Sequence, residues 1–214
     1  ALQLIQSKIK KDAWLSYDIY LTHALDIRNI YIDTSQQKIQ DVSAYGDQIL
    51  RTINLHLQFN PDDPNAYFYK GNTLARMGKD DEAIEQMEIA YEKDKLNRSV
   101  QLDLLELCIL NNQFGKCENL YFKITDYYDE NKIDIRKRDL ALMDYLLITS
   151  LKAQNKESKK YERKLNKLLR KGAVVDRWSY GSYTNWLSGS NIEPETKSFL
   201  RDLTNKMKEH NKPG

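Results

Sequence analysis

The chain has 214 residues with 33 basic and 31 acidic side chains, so its formal net charge is +2. Charged residues make up 30% and hydrophobic residues 41%, a globular rather than a disordered mixture, and the near-neutral total argues against a dedicated nucleic-acid binder. Eight Gly and four Pro are too few for the many tight turns of a β-sandwich or barrel. Helices are expected.

No uninterrupted apolar run approaches the length of about 18 residues that a membrane-spanning helix needs, so no transmembrane helix is expected within the chain. It begins Ala1-Leu2-Gln3-Leu4 without an initiator Met, which leaves an exported or membrane-anchored form open beside a cytoplasmic one. The first 31 residues read as an amphipathic helix with Leu4, Ile9, Trp14, Tyr17, Leu21 and Leu25. A second helix over Tyr45–Phe59 carries Ile49, Leu50, Ile53, Leu55 and Leu57 and stops before Asn60-Pro61. Together, residues 1–60 form an N-terminal helical hairpin.

The next stretch is the most informative. Asp63 reads as an N-cap, Pro64 as a first helical residue, and Gly78 as a left-handed stop. Apolar or small residues fall at Ala66, Tyr67, Gly71 and Leu74, and then at Ala83, Ile84, Met87, Ala90 and Tyr91. Both sets keep the three-and-four spacing of an amphipathic helix, and Gly71, Ala83 and Ala90 are small enough to let two antiparallel helices approach closely.

Residues 64–97 therefore resemble a tetratricopeptide repeat, a helix–turn–helix unit of about 34 residues. Tyr67, Gly71 and Leu74 stand at the first-helix pattern positions, and Ala83, Met87 and Ala90 at the second-helix ones. Lys70 departs from the usual apolar residue, and Lys95 stands where the closing Pro is usual.

Residues 98–171 read as two degenerate hairpins of the same kind. The first pairs Val100–Leu110, apolar nearly all round, with a helix bearing Phe114, Cys117, Leu120, Tyr121, Ile124 and Tyr128 after an Asn111-Asn112 turn. The second pairs residues 138–153 with 158–170 through Gln154-Asn155-Lys156, and Lys160 takes the place of Ala83. Residues 172–214 read as a capping hairpin: Asp176–Leu187 with Trp178, Tyr180, Tyr183 and Trp186, then a helix from Pro194 through Phe199, Leu200, Leu203 and Met207. The resemblance implies one all-α domain over 1–214, an α-solenoid of antiparallel hairpins wound as a right-handed superhelix.

Signals of catalysis are missing from the pattern. His23, His56 and His210 are isolated, and no phosphate loop, HExxH, GxSxG or paired-Cys spacing occurs. No catalytic, cofactor or metal site is expected, and the chain reads as a non-enzyme. Cys108 and Cys117 stand nine residues apart across one expected helix–turn–helix, where antiparallel packing brings them near each other, so two readings stand, a disulfide or two small buried hydrophobes. The aromatic set at Trp178–Trp186 reads either as a binding surface or as a seal over the end of the core.

The resemblance places a partner groove on the first helices of the hairpins, at Asn65, Phe68, Asn72 and Arg76 and at Asp103 and Glu106. Relatives that grip a C-terminal carboxylate use Lys and Arg around an Asn. Asn72 matches, but Phe68 replaces the Lys, and Asp103 and Glu106 are negative. An apolar or basic peptide fits better, and a protein or peptide scaffold is the leading reading.

The alternative is RNA or an anionic surface on residues 156–171, where eight basic residues, among them Lys160, Arg163, Lys164, Lys167 and Arg170, face two acidic ones. The plain reading of that segment is a solvated helix face. Residues 80–94 are the acidic counterpart, with Asp80, Asp81, Glu82, Glu85, Glu88, Glu92 and Asp94. The oligomeric state stays open.

Overall fold

In a computed structural model, residues 42–173, 175, 178 and 180–210 are described. The expected helix in residues 1–31, with His23, lies outside them. All regular structure among the described residues is α-helical: α1 (Val42–Phe59), α2 (Pro64–Arg76), α3 (Asp80–Lys93), α4 (Arg98–Leu110), α5 (Phe114–Glu130), α6 (Lys137–Ala153), α7 (Lys159–Arg170), α8 (Tyr180–Gly189) and α9 (Pro194–Glu209). The all-α class is as expected. The chain divides into two compact units at Val100/Gln101, in the first turn of α4.

In the first unit α2 packs on both α1 and α3. Asp63 caps α2 by accepting the Asn65 amide (2.9 Å), and its other oxygen meets buried His56 Nε2 of α1 at 2.8 Å. Burial pushes the Asp63 carboxyl up, but the His56 bond and the Asn65 and Ala66 amides outweigh it and hold it below its ordinary value. One side chain thus starts a helix and ties it to its neighbour. Gly71 lies where a Cβ would come within 2.6 Å of Met87 Cγ and 3.0 Å of the Ala83 carbonyl, so its missing side chain sets the α2–α3 approach.

Gly78 is left-handed (φ 72°), with Lys79 N donating to Leu74 O and Gly78 N to Ala75 O. This paired-bond stop recurs at Asn112, Lys132, Asn155 and Gly172. Asn112 follows Gly78 by one repeat length. Five residues beyond each, Ala83 and Cys117 are wholly buried; nine beyond, Met87 and Tyr121 are buried too. Asn97 follows Asp63 by the same interval and accepts the Val100 amide as a cap for α4 (3.3 Å).

The second unit is organised by α6, which packs on α5, α7 and α9. Every residue from Ala141 to Leu151 is buried. That extent of burial was expected of Val100–Leu110 instead, because α6 carries Asp144, Thr149 and Ser150 in its sequence. Each of these finds a partner: Thr149 bonds Tyr183 Oη (2.8 Å), Ser150 donates to Phe114 O (2.6 Å), and Asp144 accepts from Tyr121. Tyr145 Oη meets Thr204 of α9 at 2.6 Å.

Of the helix expected over Asp176–Leu187, Asp176 lies outside the described residues and the described helix is α8, Tyr180–Gly189. Trp178 lies ahead of it, and its indole donates to Glu106 Oε2 (2.6 Å).

Candidate functional site

The first-unit groove residues lie on α2. Asn65, Phe68 and Asn72 are half-buried and Arg76 is exposed. The Phe68 and Tyr69 rings are tilted together at 5.5 Å.

On α4, Asp103 and Glu106 are half-buried. The expectation that both project negative charge needs correction for Glu106. Burial pushes its carboxyl up to about 7, with Asp103 adding repulsion, while the Trp178 indole bond works the other way. Near neutral pH Glu106 carries a partial charge, and its oxygen is already taken by Trp178.

The basic segment also splits. Lys160, Arg163, Lys167 and Arg170 are exposed, whereas Lys164 is drawn inward and does not belong to that face. Its Nζ donates to Tyr121 Oη (3.0 Å) and Asp144 Oδ1 (3.1 Å), and Tyr121 Oη donates to the same Oδ1 at 2.6 Å. Asp144 Oδ2 is buried without a hydrogen-bond partner. Burial raises the Asp144 carboxyl, opposed by its Tyr121 and Lys164 bonds. The signal for Lys164 was present in the sequence. It stands nine residues beyond Asn155, as Met87 stands beyond Gly78 and Tyr121 beyond Asn112, which turns it towards the neighbouring helices although part of its side chain stays exposed.

Cys108 and Cys117 are buried and not joined in a disulfide, as the second of the two readings has it. Burial, with Cys108 and Glu118 adding to it, pushes the Cys117 thiol up, so it is a poor nucleophile. Within the aromatic set Tyr183 is buried and packs against Tyr145, Trp178 and Trp186, while Trp178, Tyr180 and Trp186 are half-buried; the Trp186 indole donates to Asn112 Oδ1 (3.1 Å). His210 is exposed.

A polar cleft of about 470 Å³ opens between inter-helix turns of the second unit, lined by Asn112, Phe114, Lys152, Asn155, Ser190 and Thr196 among others. Lys152 is engaged there by Glu162 (3.2 Å) and lies over the Phe199 ring. Among the described residues no group of three His, Cys, Asp or Glu side chains is placed to hold a metal. None of their helices is long and apolar enough to cross a membrane.

The described residues define an all-α fold. No family model matches the chain, and no curated protein matches it.

Proposed function

We propose that the chain is a non-enzymatic scaffold of tetratricopeptide type that holds a protein or peptide partner on the helices opening its hairpins. The observation that carries this reading is the repeated hairpin register. A left-handed helix stop recurs after one repeat length, with buried residues five and nine places beyond it. In such a unit the second helix supplies the small core residues and the first helix keeps a free side.

On α2 that side offers half-buried Phe68 and Asn72 with exposed Arg76. A half-exposed aromatic ring beside a carboxamide suits an apolar side chain flanked by peptide backbone. On α4 the negative charge rests mainly on Asp103, since burial pushes the Glu106 carboxyl up to about 7.

The test is affinity capture by the full chain, comparing wild type with Phe68→Ala and Arg76→Glu. Both variants should fold normally and lose the captured partner. Identical capture by all three proteins would refute the reading.

A further inference from the structure

We propose that the outer face of α7, with Phe122 of α5 at its edge, binds single-stranded nucleic acid. Its lysines and arginines hold phosphates, and a base stacks on the Phe122–Tyr161 pair. All of these residues belong to the second unit.

Net charge bears on binding unit by unit, and the near-neutral total of this chain joins two unlike halves. Residues 101–214 carry 21 basic and 16 acidic side chains, a net +5, whereas residues 1–100 carry 12 and 15, a net −3. The excess is concentrated on α7. There Lys160, Arg163, Lys167 and Arg170 are exposed and recur every three or four residues, opposite buried Leu165 and Leu169. This sets one cation per turn over about 15 Å of helix. The ion pairs of this segment are made by Lys156, Glu162 and Lys164, and none by Arg163, Lys167 or Arg170 among the described residues.

Such a stripe by itself is an ordinary solvated face. An aromatic pair borders this one on the α5 side. Phe122 is 37% exposed, and half-buried Tyr161 lies against it with 6.3 Å between ring centres. Both rings meet Tyr121 edge-on, at 5.4 and 5.8 Å, and the Tyr121 hydroxyl is fixed on Asp144 at 2.6 Å. The pair is therefore anchored from beneath. Lys160 Nζ lies 5.5 Å from the centre of the Tyr161 ring, so cation and ring serve one place.

The acids beside this surface are mostly engaged. Glu162, the sole acid of α7, is turned to Ser158 Oγ (2.5 Å) and to Lys152 of α6 (3.2 Å). Glu118, one turn before Phe122, is held by Lys156 at 2.6 Å. Asp126, one turn beyond Phe122, is exposed and bounds the surface on that side.

Cations and rings together select the occupant. Phosphates satisfy the stripe, and the flat face of an unpaired base satisfies the rings. A duplex keeps its bases stacked within itself and leaves Phe122 uncovered. An acidic peptide backbone meets the cations alone. A lipid surface fits less well, because the apolar side of α7 is buried against its own unit and does not enter a bilayer.

Fluorescence anisotropy of a labelled oligouridylate of about 12 nucleotides, titrated with the full chain, tests this. Binding should be measurable at about 50 mM salt, and log K should fall against log salt with a slope of about −3, as for about four phosphates. Arg163→Glu with Lys167→Glu should weaken binding by more than about tenfold and flatten that slope. Phe122→Leu with Tyr161→Leu keeps apolar volume but removes both rings, and should weaken binding by about tenfold with the slope unchanged. Circular dichroism checks folding, and Phe122→Leu alone, at an exposed position, serves if the double variant unfolds. A duplex of equal length should bind at least about tenfold more weakly than the single strand.

No binding at low salt, or binding indifferent to the loss of the rings, would overturn the proposal. So would equal binding of the duplex or of polyglutamate, or a preference for phosphatidylserine vesicles over the oligonucleotide.

Discussion

Lys164 Nζ lies 3.1 Å from Oδ1 of Asp144, a carboxylate whose side chain is wholly buried between α5, α6 and α7. The pair binds a helix that otherwise shows its charges to solvent to the most buried helix of the second unit. Lys164→Met removes the partner and leaves the carboxylate stranded, which should cost about 3 kcal/mol in urea unfolding. The deficit should shrink as pH falls and Asp144 takes up a proton. Asp144→Leu combined with Lys164→Met should cost less than the single change, because no buried charge is then left unpaired.

Glu106 makes stability depend on pH near neutrality. Its folded-state value of about 7 lies above its ordinary 4.5, so the folded chain holds this proton more tightly than the unfolded one. The stabilisation is present at acid pH and is lost as pH rises towards about 7, with a magnitude of about 1–3 kcal/mol allowing for partial exposure. Glu106→Gln keeps an acceptor for Trp178 and should flatten this fall in denaturation curves taken from pH 5 to 8.

Asp63 has the opposite sign. Its carboxyl is held below the ordinary value, so its contribution is present above pH 4 and is lost as the pH drops through its folded value. Asp63→Ala removes both the α2 cap and the His56 contact and should cost about 1–2 kcal/mol at pH 7. The loss should vanish when the same unfolding experiment is run in strong acid.

The glycines separate steric from conformational effects. Gly71→Ala forces a Cβ onto Met87 and the Ala83 carbonyl and should destabilise by about 1–3 kcal/mol. Gly78→Ala meets no atom within 4 Å but places alanine at φ 72°, which should cost about 1 kcal/mol. Thermal melts of the two variants should rank them in that order.

Much of the architecture was legible because helices are written locally. The Asp63-Pro64 start, the Gly78 stop and the small residues at Gly71, Ala83 and Ala90 each act within a few residues of chain, and all recur in the structure. The buried faces of α5 and α9 followed from spacing alone. Less legible was α6, where polar letters concealed a helix buried along most of its length. Asp144, Thr149 and Ser150 look solvated until Tyr121, Lys164, Tyr183 and the Phe114 carbonyl arrive from other helices.

The candidate site divides in the same way. Exposure of Lys160, Arg163, Lys167 and Arg170 could be read from a helical wheel, since each stands opposite Leu165 and Leu169. The repeat interval marks the place of Lys164 but not its partner Asp144, 20 residues away, and nothing local marks the capture of Glu106 by Trp178, 72 residues away. The sequence alone determined where helices begin, end and turn an apolar side, through caps, periodicity and side-chain volume. Only the tertiary structure decided which charges remain charges at the surface. That depends on desolvation and on partners distant in the chain, and no local pattern records either.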